Sequence, residues 1–224
     1  MMDCSSKKEK KTTRHMLTAA CIAAFGLMVT TGVRAAHADE IAPPSVPGPI
    51  HVDDGNEVFL VGHGVGTQNY VCVTSATSVS GFAFSLFTPE ATLFDNGGEQ
   101  LITHFFSPND DPRLGPPERG TIRVTWEDSR DSSRVWAALL EQSTEAPFVR
   151  PDAVAWLKLQ TKGVAAGPDG GDRLTKTTFI QRVNTVGGLA PATGCSTFED
   201  LGRRAFVPYS ADYFFYKKSQ PQTR

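Results

Sequence analysis

The side chains in this sequence best suited to proton chemistry are His104, Asp128, Asp131, Asp212 and Tyr209. A histidine held by a carboxylate can take up and return a proton near neutral pH, and a tyrosine hydroxyl can assist, so these are the candidates for acid/base catalysis. They lie far apart along the chain, and only folding can assemble them. No compact signature supports them: G-x-S-x-G, H-E-x-x-H, C-x-x-C and the EF-hand loop are all missing from the sequence. His51 and His63 are equally isolated, and a lone histidine beside aromatics, as His104 is beside Phe105 and Phe106, is ordinarily a packing residue.

Three further motifs carry a chemical and a plain reading. Gly62-His63-Gly64-Val65-Gly66 lacks the G-x-G-x-x-G spacing and precedes no helical pattern, so it is expected to be a strand-connecting turn rather than a phosphate cradle. Asp169-Gly170-Gly171-Asp172 offers too few oxygens for a calcium shell and reads as an ordinary turn. Neither motif suggests a metal or a cofactor. Tyr209, Tyr213, Phe214, Phe215 and Tyr216, with Trp126, Trp136 and Trp156, are expected mainly to fill a core; any that face a cleft would suit sugars or flat apolar ligands.

The elements that must position these residues are strands. Short period-two runs recur at 58–61, 69–74, 82–87, 101–106, 121–126, 135–140, 155–161, 178–183 and 209–216, nine candidates separated by Gly, Pro, Asn and Asp clusters. In Thr121-Ile122-Arg123-Val124-Thr125-Trp126 the apolar residues fall on one face, as in a half-buried strand. Convincing helix is scarce. Ser196-Thr197-Phe198-Glu199 has the form of a capping box opening one or two turns. The expectation is one all-β domain, a β-sandwich or a partly closed β-barrel, with one short helix and long loops.

The N-terminus speaks for export. Lys7, Lys8, Lys10, Lys11 and Arg14 precede an uncharged stretch from Met16 to Val33, and Ala36-His37-Ala38 is a small-x-small cleavage site. The expected organisation is a signal peptide over 1–38, a proline-rich extended lead-in over 39–50, the β domain over 51–217, and a disordered tail over 218–224. Removing the signal lowers Lys and Arg from 22 to 16 and Asp and Glu from 24 to 22, a net charge of 16 − 22 = −6. No basic patch remains for phosphates, so nucleic acid is disfavoured as a partner. No integral membrane segment is expected in the mature chain. Cys72 and Cys195 would then be the two cysteines left in an oxidising compartment, where such a pair normally bonds; the alternatives are two buried thiols or a metal site, which would need more ligands nearby.

Several segments together resemble one family. They are Gly66-Thr67-Gln68-Asn69-Tyr70-Val71-Cys72, Pro89-Glu90-Ala91-Thr92-Leu93, His104-Phe105-Phe106, Phe179 to Thr185 with Gly187-Gly188-Leu189-Ala190-Pro191, Gly194-Cys195, and Val207 to Tyr213. The chain resembles the DUF3455 family of secreted proteins from about Pro47 to Tyr216. The resemblance implies that Cys72 and Cys195 are the family's paired cysteines. Many relatives carry Asp-Gly-Ser where this chain has Asp131-Ser132-Ser133.

The function expected from all this is a non-catalytic binding or envelope-associated module, secreted or periplasmic, whose partner is a small molecule, a glycan or a protein. Gln181, Arg182, Asn184, Gly187, Gly188, Tyr209 and Asp212 would then be mainly architectural. The alternative is an extracellular hydrolase of polysaccharide or ester substrates using His104, Asp128, Asp212 or Tyr209.

Overall fold

The period-two runs fold into eight strands in the computed structural model, which describes residues 41–220. They are β1 (Asn56–Thr74), β2 (Phe82–Phe94), β3 (Gln100–Pro108), β4 (Ile122–Asp128), β5 (Arg134–Ser143), β6 (Trp156–Ala165), β7 (Thr177–Gly187) and β8 (Arg204–Lys218). Each pairs antiparallel with its sequence neighbour, and β1 pairs with β8, so the sheet closes into an up-and-down barrel without a free edge. Of the two all-β architectures expected, the barrel is the one adopted, and its closure is complete. The expected signal segment 1–38 lies outside the described residues, as do tail residues 221–224. The strand continues to Lys218, and the Ser219 N–H still donates to the Gly55 carbonyl at 3.0 Å.

Nine expected strands become eight because Gly62 to Gly66 is not a turn. It lies in the middle of β1, paired with β2 on one side and β8 on the other. The alternation that identifies a strand is present, but its inward positions are glycines. A Cβ on Gly64 would stand 2.9 Å from the Tyr213 ring, and one on Gly66 would stand 2.0 Å from the Glu90 carbonyl oxygen. Glycine here permits close approach of neighbouring strands.

The barrel interior divides into two halves. One end, beneath the connections 95–99, 129–133 and 166–176, is packed solid by Leu60, Leu93, Ile102, Val135, Leu174, Ile180 and Phe215. The long connections 75–81, 109–121, 144–155 and 188–203 gather at the other end. There the interior holds a cavity.

The lead-in is partly a 3-10 turn, Gly48–Ile50, and lies against the outside of the barrel. Ile50 is fully buried there with Val149, Trp156 and Val183. Gln181 donates to the Ile50 carbonyl at 2.6 Å, and Lys158 donates to the His51 carbonyl at 3.0 Å. The expected capping box is shifted by one residue. Asp200 accepts from the N–H groups of Ser196 and Thr197 at 2.9 and 3.2 Å, and the helix is a single 3-10 turn, Phe198–Asp200, rather than a longer one.

Candidate functional site

The cavity at the loop-rich end encloses about 600 Å³, a volume typical of small-molecule sites. Inward positions of every strand reach it: Gln68 from β1, Pro89 from β2, His104 from β3, Trp126 from β4, Ala137 from β5, Leu159 from β6, Arg182 from β7 and Tyr213 from β8. Eight-stranded barrels have interiors that are either filled by side chains or hold one small ligand. Here the small residues Ala137 and Ala155 in the wall leave room that larger side chains would fill.

His104 is buried and stacks on Trp126, with ring centroids 4.4 Å apart and planes 15° apart; Tyr213 tilts against it at 5.3 Å. Its Nδ1 lies 2.9 Å from the Thr125 carbonyl, which can only accept, so Nδ1 carries the proton and Nε2 is left as an acceptor. Burial pushes its pKa down to about 3, the Thr125 bond opposes this, and the charge of Arg182 lowers it further. The imidazole is therefore neutral across the ordinary pH range.

Arg182 is the cation of this interior. Its Nη2 donates to the Ala155 carbonyl at 2.8 Å, and its Nε–H is buried without a partner. No carboxylate among the described residues pairs with it, although Arg123, the other arginine at the cavity, is clamped by Glu118 at 2.7 and 2.9 Å. The side-chain nitrogen of Gln68, which is directed at the Tyr209 hydroxyl without closing a full hydrogen bond, and the indole nitrogen of Trp126 are likewise buried and unsatisfied. Buried donors are normally satisfied, and an unsatisfied one costs about 1–3 kcal/mol.

The candidates for catalysis are not gathered in one place. Asp128 caps the β4–β5 turn, accepting from the N–H groups of Arg130 and Asp131 at 2.9 and 3.1 Å and pairing with Arg173. Asp131 accepts from the N–H of Ser133 and of Arg173 in the same turn region. Ser132 sits there at φ 57°, the left-handed conformation that favours glycine. Asp212 lies on the outer wall, bonded to His63 and to Asn184 at 2.7 Å each. Tyr209 is inside, its hydroxyl 3.0 Å from that of Tyr213, and burial raises the pKa of both. His104 has no carboxylate partner among the described residues.

The residues expected to be architectural divide between two faces. Gln181 points outward to the lead-in, and Tyr216 also donates to its side-chain oxygen. Asn184, at φ 51°, sits where the β7–β8 register shifts. Gly187 and Gly188 both have positive φ at the end of β7, and a Cβ on Gly188 would stand 2.9 Å from Tyr209 and 3.1 Å from Gln68. Tyr70 donates to the Gly188 carbonyl at 2.6 Å, and Cys72 bonds Cys195, with Cα atoms 5.5 Å apart. The 188–203 connection is thereby tied to the end of β1. Arg182 faces inward to the cavity instead.

Gln68 is a cavity residue that sequence reasoning passed over. Its signal was available, since a glutamine on the apolar, inward parity of a strand is a buried polar group in search of a partner. The Asp169–Asp172 turn is held by backbone bonds, Gly170 N–H to the Gly167 carbonyl at 3.0 Å and Gly167 N–H to the Gly171 carbonyl at 2.8 Å. No cluster of three or more metal-ligating side chains occurs among the described residues.

A family model described as a protein of unknown function, DUF3455, matches residues 53–217, most of the chain. No curated protein and no solved structure matches.

Proposed function

The chain belongs to the DUF3455 family, and from the interior of its barrel we propose that it is a non-catalytic binding module that encloses a small molecule. The observation that carries this reading is a cavity of about 600 Å³ walled by aromatic rings, with buried N–H donors that have no hydrogen-bond partner in the side chains that form its wall. A ligand with acceptor atoms would satisfy those donors, and its body would displace water from Trp126, Leu157 and Leu159. His104 supports binding over hydrolysis, because it is neutral and has neither a carboxylate to orient it nor a hydroxyl nucleophile hydrogen-bonded to it among the described residues. The Cys72–Cys195 bond and the signal-like N-terminus support a place in the periplasm or the external medium. No helix among the described residues is long and apolar enough to cross a membrane.

The test is titration with N-phenyl-1-naphthylamine, a neutral dye that brightens in apolar surroundings. Saturable one-to-one brightening is expected, abolished by Leu157→Trp, which fills the cavity wall from β6. Dye that fails to bind the folded protein, or binds the Leu157→Trp variant equally well, would sink the reading. Mass spectrometry of the same preparation identifies any retained molecule and the N-terminal residue.

A further inference from the structure

We propose that the molecule held in this cavity is an amphipathic monoanion, an apolar chain or ring system carrying one carboxylate, seated with the carboxylate against Arg182 and the apolar part toward the mouth. This rests on the binding reading above and names its ligand class.

The charge inventory points to the sign. No Asp or Glu lines the cavity. Of its two arginines, Arg123 is neutralised by Glu118, whereas Arg182 has no anionic partner among the described residues. His104 adds no second charge, since its burial beside Trp126 and Tyr213 keeps the imidazole neutral. The interior therefore carries one uncompensated positive charge, and a half-buried guanidinium recruits an anion or retains water at a cost. One guanidinium matches a monoanion; a phosphate dianion would leave charge unpaired.

The unmatched hydrogen bonds point the same way. The Nε of Arg182, the side-chain nitrogen of Gln68 and the indole nitrogen of Trp126 are donors, three against the acceptor Nε2 of His104. A carboxylate is acceptor-only with two oxygens, which suits such a set, and the planar guanidinium edge matches carboxylate geometry. An ammonium ligand would add donors to donors.

The distribution of polarity gives the orientation. Gln68, His104, Trp126 and Tyr213 are buried within the barrel. At the mouth, Leu86, Ile122, Leu139 and Leu189 line the same cavity and remain 40%, 57%, 55% and 45% exposed. Large aliphatic side chains ringing an opening are available to cover a ligand's apolar end. A head-in arrangement satisfies the inner donors and shields this collar at once.

The experiment displaces N-phenyl-1-naphthylamine with four competitors: dodecanoate, hexanoate, dodecanol and dodecyltrimethylammonium. Dodecanoate should bind at least about tenfold tighter than dodecanol, the increment of a charge-assisted hydrogen bond of about 1.5 kcal/mol or more. It should also exceed hexanoate, because the longer chain reaches the collar. The cation should be the weakest of the twelve-carbon series. In Arg182→Met, the preference of acid over alcohol, taken as the ratio of their affinities, should disappear. Equal affinity of acid and alcohol in the unaltered protein, or preference for the cation, overturns the proposal without touching the binding reading. Loss of dye binding by the unaltered protein would overturn both. Should Arg182→Met fail to fold, the competitor ranking on the unaltered protein still decides.

Discussion

His63 and Asp212 face each other across the β1–β8 seam on the outer wall of the barrel, Nδ1 2.7 Å from Oδ1. The other ring nitrogen lies 2.8 Å from the Asn96 side-chain oxygen, so both nitrogens have acceptors to donate to. This favours the doubly protonated ring. Its pKa is raised, chiefly by the Asp212 bond and then by the Asn96 bond, with the charges of Asp212 and Asp95 adding to the effect against partial burial.

A raised pKa means that the folded state binds the proton more tightly, so the stabilisation is full below the unfolded pKa of about 6.5 and fades as pH rises through the folded value. The His63 side chain is 44% exposed, so the contribution should stay below about 1 kcal/mol. Urea unfolding of His63→Gln should show a stability deficit at pH 6 that shrinks at pH 9. A deficit that grows with pH would contradict the assignment.

The Cys72–Cys195 bond closes a loop of 123 residues in sequence separation. Chain entropy assigns it about 4–5 kcal/mol of stabilisation against the unfolded state. The double variant Cys72→Ser, Cys195→Ser should lose most of that in urea midpoint. An unchanged midpoint would show that β1–β8 pairing alone holds this end of the barrel.

Gly66→Ala places a Cβ 2.0 Å from a backbone oxygen, which no rotamer change relieves. The strand must shift, at a cost of about 1–3 kcal/mol or more. Gly115→Ala meets nothing within 4 Å, and its thermal midpoint should match that of the unaltered protein within experimental scatter. Equal midpoints for the two variants would refute the close-approach account of β1.

Ser132 holds a left-handed conformation in the β4–β5 turn, where an L side chain is strained by about 1–2 kcal/mol. Glycine relieves the strain but gives up about 0.4–1 kcal/mol in unfolded-state entropy. Ser132→Gly should therefore raise stability by roughly 0.5–1 kcal/mol, read as a higher urea midpoint.

Ile50 is fully buried although it precedes the barrel, wedged beside Trp156 and Val183. Ile50→Ala should cost about 2–5 kcal/mol, and loosening of the lead-in should shift Trp156 emission to the red. If stability and emission both stay unchanged, the lead-in makes no energetic contribution.

The all-β class was legible in the sequence because alternation of apolar and polar residues is local: Ile122, Val124 and Trp126 advertise one inward face, although that face meets the cavity and its mouth rather than a packed core. Pairing of Cys72 with Cys195 was legible for another reason, compartment chemistry, which constrains partners without geometry. The glycine-rich segment of β1 misled, because a glycine needed for close strand approach and a glycine needed for a turn look the same until the neighbouring Tyr213 and Glu90 are in place.

What only the tertiary structure decided is the cavity. Arg182 sits in a motif that reads as architecture, and Gln68 in a strand that reads as framework. Strand parity then points both into one barrel interior, beside His104 and Trp126. Closure of β1 against β8 is a non-local event, and it turns inward-facing residues scattered over eight strands into a single wall. Local pattern can set the face on which a side chain lies, but whether that face meets a packed core or an empty space depends on the summed volumes of residues distant in sequence.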